Sequence, residues 1–211
     1  MIYLDSAIID EAKTAASFGW VKGITTNPTL LNKSPLSPEE TLRQLAAITS
    51  GELFYQLCST DFDSMVTEGK QAAQLIGTRL VLKIPANDLG FRVTAHLSPQ
   101  IDCSVTAIYD PAQAAIAQEA GAKYAIAYVN RATRLLGDGF ALVRAMAEIV
   151  KDSNTEILAA SIKSPKEAVE TLKAGADHLT LPLNILQQMT SHQLSDETFV
   201  EFNAKGVGIN F

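Results

Sequence analysis

Short apolar runs alternate with longer segments of helical periodicity along the whole 211-residue chain. The runs fall at residues 2–4, 21–24, 53–57, 80–84, 101–106, 124–129, 156–160 and 178–181. Short stretches of unbroken hydrophobic character predict strands buried on both faces, as in a parallel sheet. The segments between them, 8–18, 38–49, 62–76, 89–97, 111–120, 137–151 and 165–174, read as helices. Start signals support several: Ser37-Pro38 with Glu40, Asp110-Pro111, and Ser164-Pro165 with Glu167. Gly77, Gly121 and Gly175 stand where helices should end.

Eight strands separated by helices imply βαβ units and a fold of the α/β class. They close naturally into a single (β/α)8 TIM barrel spanning residues 1–211. An open, doubly wound sheet is the rival, and it wants a glycine-rich turn after its first strand. That turn reads Leu4-Asp5-Ser6-Ala7, without glycine, which favours the barrel. The tail, 194–211, adds a C-terminal helix candidate at 196–203 and a glycine-spaced end, Gly206-Val207-Gly208. It either covers the barrel or reaches a neighbouring subunit.

Composition narrows the classes of partner. The 17 basic and 23 acidic residues give a net charge of −6, which argues against a nucleic-acid groove. No apolar run approaches the ~20 residues of a membrane helix, and the N-terminus does not read as a signal peptide. Cys58 and Cys103 are expected as free thiols in a reducing, cytoplasmic setting. His96, His178 and His192 are scattered without metal-ligand spacing. No Gly-x-Ser-x-Gly elbow suggests a nucleophilic serine.

Barrel enzymes carry their chemistry at the C-terminal ends of the strands. Those positions here are Asp5, Thr25 with Asn27, Gln56, Lys83, Thr106, Tyr128 and Ser161. Each alone is weak evidence; together they would converge on one cavity. Lys83 is the sharpest, because it interrupts Leu80-Val81-Leu82-Lys83-Ile84-Pro85, a strand expected to be fully buried. An ammonium there costs on the order of several kcal/mol to desolvate. Burial favours the neutral amine, the form that attacks a carbonyl. The competing reading is a structural lysine paired with a buried carboxylate such as Asp5. Asp5 itself is either a proton relay beside the amine or the cap of the helix near Ile8. Asn27 suits a small polyol, offering both donor and acceptor, or simply forms an Asn-Pro turn. Arg131, Ser161 and Lys163 suit a phosphate, or are ordinary surface-loop residues. Lys22 and Lys123 sit at strand beginnings, where a positive charge has no evident catalytic use.

Six segments resemble the small transaldolase family, in order and at compatible spacing: Tyr3-Leu4-Asp5-Ser6, Gly23–Pro28 (GITTNP), Leu82-Lys83-Ile84-Pro85, Tyr128-Val129-Asn130-Arg131, Leu158–Ser161 (LAAS) and Thr180-Leu181-Pro182-Leu183. The chain is most similar to the fructose-6-phosphate aldolase branch. The resemblance implies a Schiff-base lysine on the fourth strand, Lys83, working with no metal or organic cofactor on a sugar phosphate. It implies that Asp5 is the catalytic aspartate. Thr25 and Asn27 become donor-site contacts, Thr106 lies near another cavity threonine, and Arg131 with Ser161 hold phosphate. Lys163 stands where transaldolases carry a basic residue.

Gln56 and Tyr128 select the branch, since transaldolases resemble one another in glutamate and phenylalanine at these places. Gln56 then positions the catalytic water and Tyr128 exchanges its proton. The implied reaction is reversible cleavage of fructose 6-phosphate to dihydroxyacetone and glyceraldehyde 3-phosphate. The alternative is transaldolase transfer of the dihydroxyacetone unit between sugar phosphates of the pentose phosphate pathway. A third reading, a silent barrel that only binds sugar phosphates, is opposed by the intact residue set. The resemblance also implies a homo-oligomer, a pentamer or a decamer that exchanges C-terminal helices. Ile126-Ala127 and the glycine-spaced tail depart from the branch pattern.

Overall fold

The structure is a computed structural model that describes residues 1–209; positions 210 and 211 of the expected tail lie outside the described residues. Its sheet is a closed parallel barrel, β1 to β8 in chain order. The strands are β1 (Ile2–Asp5), β2 (Gly23–Thr25), β3 (Glu52–Gln56), β4 (Leu80–Pro85), β5 (Cys103–Ile108), β6 (Tyr124–Tyr128), β7 (Glu156–Ala160) and β8 (His178–Leu181). Every expected strand is present, with ends displaced by one or two residues where the run and the hydrogen-bonded ladder differ.

The seven expected helices correspond to α1 (Ile9–Ser17), α3 (Pro38–Ile48), α4 (Phe62–Ile76), α5 (Asp88–Leu97), α6 (Pro111–Glu119), α8 (Gly139–Val150) and α9 (Pro165–Lys173). Their start signals work as read: Ser37 accepts from Glu40 N, Asp110 forms a capping box with Gln113, and Ser164 accepts from Glu167 N. Gly77, Gly121 and Gly175 close helices at positive φ, of 81°, 77° and 105°. Three helices escaped the sequence pattern: α2 (Pro28–Leu31), α7 (Val129–Leu136) and α10 (Leu183–Met189). The tail helix, α11 (Gln193–Lys205), is longer than its 196–203 core and is capped by His192.

Alternation along each strand divides the interior in two. Leu4, Ile24, Leu53, Leu82, Ile84 and Val105 face outward and pack with the helices. Tyr3, Phe54, Val81, Tyr124, Ile126, Leu158 and Ala160 face inward and fill the barrel, with Tyr128 against them. Because this inner plug occupies the middle of the barrel, inward residues at the C-terminal strand ends are left to line a cavity. Close approach of α5 to the end of β4 needs Gly90, where a Cβ would stand 1.9 Å from the Pro85 carbonyl oxygen.

The N-terminal end of the barrel is closed by a charged knot. The Glu52 carboxylate accepts from Tyr3 at 2.7 Å, from Tyr124 at 2.9 and 3.1 Å, and from Lys123 at 2.7 Å. Lys123 also reaches Asp102 at 2.7 Å. This gives Lys123 a structural use that its sequence position only hinted at. Burial alone would raise the Glu52 carboxyl, but the bonds from Lys123 and the two tyrosines outweigh it and hold it below the ordinary carboxylate value. Burial first, and Glu52 second, push the Tyr124 phenol up to about 12.

A carboxyl depressed on folding stabilises the protein above its unfolded value, near 4.3, and loses that contribution as pH falls through the folded value. Glu52→Gln is expected to lower stability by about 1–3 kcal/mol at pH 7. The gap to the parent should shrink as pH falls below about 4. Urea midpoints across pH check this; a gap independent of pH would contradict the knot's role.

Candidate active site

A cavity of about 440 Å³ opens at the C-terminal end of the barrel. Strand ends supply most of its wall: Asp5 from β1, Gln56 from β3, Lys83 from β4, Ala107 from β5, Tyr128 from β6 and Ala160 from β7. Asn27 and Pro28 to Leu30 form its rim beside β2, with Arg131, Ser161 and Lys163 on the far side. Ladder pairing sets Gln56 beside Lys83, and Tyr128 beside Ala160. Eight of the ten expected site residues therefore line one cavity.

Lys83 is 2% exposed. Its Nζ donates to the Thr26 carbonyl at 2.9 Å. Among the described residues no carboxylate lies within ion-pair distance of it. The expected structural alternative, a lysine locked to Asp5, is not the arrangement adopted. Asp5 instead accepts from Thr25 Oγ1 at 2.9 Å. Nor does Asp5 cap α1, whose N-cap Ile8 has no side-chain bond. Ser6 Oγ takes the Ile8 N–H at 3.1 Å.

The two remaining expected residues, Thr25 and Thr106, stand behind the wall, 0% and 1% exposed. Thr25 bonds Asp5, and Thr106 Oγ1 donates to Tyr128 Oη at 3.3 Å. Both reach the cavity through a neighbour. Asn27 spends its amide oxygen on Leu30 N at 2.9 Å, capping α2, so its NH2 is the group left for the cavity. The Tyr128 ring is held between the edge of Tyr109, centroids 6.2 Å apart, and the Arg131 guanidinium, 5.2 Å from the ring centre. Gln56 Oε1 is buried without a hydrogen-bond partner among the described residues.

The rim that carries Arg131, Ser161 and Lys163 is tied together by Glu167. That carboxylate accepts from Asn130 Nδ2 at 3.1 Å and from Lys163 N at 2.6 Å. Asn130 N in turn donates to the Ser161 carbonyl at 3.0 Å. Ser161 holds φ of 61° at the end of β7. Ala107 holds φ of 63° where the β5–β6 register slips between Val105 and Ile108. Non-glycine residues in the left-handed region cost about 1–3 kcal/mol each and cluster at functional sites. Here both line the cavity.

Residues 2–209 match the family described as transaldolase/fructose-6-phosphate aldolase. This chain belongs to that family. A probable transaldolase of Nitrosopumilus maritimus (strain SCM1) is 36% identical over 198 residues, covering 92% of this chain and 89% of the relative. One from Symbiobacterium thermophilum is 35% identical over 204 residues, covering 95% of this chain and 94% of the relative. One from Hydrogenobaculum sp. is 38% identical over 197 residues, covering 92% and 90%. Among solved structures, mandelate oxidase superposes with a TM-score of 0.63 at 16% identity, covering 95% of this chain and 71% of that one. At that identity the likeness speaks for the barrel fold alone.

Sequence reasoning passed over Ala107, Tyr109, Thr26 and Thr180. An alanine carries no sign of a left-handed backbone, and Thr26 acts through its carbonyl. Thr180 was legible in principle, since it is an inward position on β8 paired with Tyr3.

A buried amine without a carboxylate partner is a cost to the fold. Lys83→Met, which keeps length and removes charge, is expected to raise stability by about 1–2 kcal/mol. Urea denaturation at pH 7 measures this, and a clear loss of stability would mean that the amine is structural.

Proposed function

We propose that the chain is a single-domain class I aldolase acting on sugar phosphates, with Lys83 as the residue that bonds to substrate carbon. The observation that carries this reading is an amine buried in a barrel wall, with no carboxylate partner among the described residues, and open to a polar cavity. Family membership supports it.

In the proposed reaction, Lys83 Nζ adds to the ketone of fructose 6-phosphate, and loss of water gives an iminium ion. The bond between the third and fourth carbons breaks toward that iminium, which takes up the electron pair as an enamine. The proton of the 4-hydroxyl goes to a base, for which Asp5 at the cavity wall is the candidate. Glyceraldehyde 3-phosphate leaves. Protonation of the enamine carbon and addition of water then free dihydroxyacetone and return the amine. Gln56, with an unpaired carbonyl, positions the water, and Tyr128 beside it exchanges the proton. Thr25 and Thr106 support Asp5 and Tyr128 from behind. Asn27 reads donor hydroxyls, while Arg131, Ser161 and Lys163 hold the phosphate.

A second reading is transfer of the dihydroxyacetone unit to an aldose phosphate. The relatives' own names, probable transaldolase, favour it. Gln56 and Tyr128 favour release. No helix among the described residues is long and apolar enough to cross a membrane, and we place the enzyme in the cytoplasm. We further propose a homo-oligomer in which α11 packs on another subunit. None of its residues is buried, and Phe199 and Phe202 are 67% and 69% exposed.

Borohydride added with fructose 6-phosphate is expected to leave a covalent mass increase on Lys83 and none in Lys83→Met; absence of any adduct would falsify the Schiff-base reading. Without an acceptor, free dihydroxyacetone should accumulate, and transfer without release would favour the second reading. Gln56→Glu is expected to raise transfer relative to cleavage by about tenfold or more. An unchanged ratio would remove Gln56 from the decision.

A further inference from the structure

The eighth strand adds nothing to the expected ring of polar strand ends, yet Thr180 sits on its inner face, 1% exposed. Its Oγ1 is 2.6 Å from Thr25 Oγ1. Thr25 Oγ1 in turn donates to Asp5 Oδ1 at 2.9 Å. Each hydroxyl has one hydrogen, and a carboxylate accepts without donating. Thr25 has therefore spent its hydrogen on Asp5, so Thr180 must be the donor of the second bond. The line runs one way, from Thr180 through Thr25 to Asp5.

Three other buried hydroxyls in this barrel behave differently. Thr26 donates to the Phe54 carbonyl, Ser104 to that of Leu82 and Thr155 to that of Ala122, each satisfied locally by backbone. Thr25 and Thr180 spend their hydrogens in series on a carboxylate at the cavity wall. A donor that is itself receiving a hydrogen bond is polarised and donates more strongly. Oδ1 is thereby held in the wall, and Oδ2 is the carboxylate oxygen left for chemistry.

We propose that Thr180 is a positioning residue for the reaction, acting through Thr25 to fix the Asp5 carboxylate. The inference rests on the aldolase reading above, in which Asp5 moves a proton. It also makes Thr25 a link in the wall rather than a hydroxyl available to the donor substrate.

Thr180→Val removes the terminal donor, Thr180→Ser keeps it, and Thr180→Ala removes it with less bulk. Cleavage or transfer, whichever the parent performs, is measured for each. Thr180→Val and Thr180→Ala are expected to lower kcat about tenfold with KM nearly unchanged, and Thr180→Ser to recover most of it. In an Asp5→Asn background, Thr180→Val should cost little further. A parental kcat in Thr180→Val, an equal loss in Thr180→Ser, or an undiminished loss on Asp5→Asn overturns the relay. If Thr180→Val does not fold, the contrast between Thr180→Ala and Thr180→Ser decides by the same outcomes. Borohydride trapping on the parent separates the two claims. No adduct there rejects the aldolase reading and the relay with it; an adduct with indifference to Thr180 rejects the relay alone.

Discussion

Everything at the C-terminal end of this barrel is arranged around one amine that has been taken out of water and has no counter-charge among the described residues. Among the described residues Lys83 has one acceptor, the neutral Thr26 carbonyl, and it faces an open cavity. The nearby carboxylate that could have neutralised it, Asp5, is turned instead toward Thr25. Holding the two apart is work done by the barrel wall, because the wall fixes strand register and therefore where each inward side chain can reach. The proposed nucleophile and the proposed proton carrier thus share a cavity without quenching each other.

The opposite end of the barrel solves the contrary problem. There Lys123 is bonded to both Glu52 and Asp102, and Tyr3 and Tyr124 donate to Glu52. Every charge has a partner, and the knot seals the floor beneath the aromatic plug. One lysine is paired and stabilising; the other has no carboxylate partner among the described residues and faces a cavity. The cavity and the charged knot thus lie at opposite ends of the barrel axis, which is how this fold usually divides function from stability.

Much of this was legible in the chain itself. Strand order, barrel closure and six of the eight cavity-lining residues follow from apolar runs and from what ends them, while Arg131 and Lys163 were read from the loops beyond as suited to a phosphate. Lys83 stood out because a charge inside an unbroken run is rare. What the pattern hid has physical reasons. The run 124–129 passes from β6 into α7 without a break, since Val129 is buried in either conformation. The four-residue α2 and the seven-residue α10 are too short for helical periodicity to register. Thr25 and Thr106 look like cavity hydroxyls in sequence, and only the packing reveals that each stands one residue behind. Ser161 and Ala107 hold left-handed backbone that side-chain identity does not announce. The likeness to mandelate oxidase at 16% identity makes the same point from outside: the barrel is shared widely, and the chemistry lives in the residues at its mouth.

A crystal structure of the protein soaked with dihydroxyacetone examines the unpaired amine most directly. Continuous electron density from Lys83 Nζ to the former carbonyl carbon, with Asp5 still on Thr25, is the predicted result. Dihydroxyacetone absent from the cavity, with Lys83 swung into an ion pair with Asp5, would contradict the account.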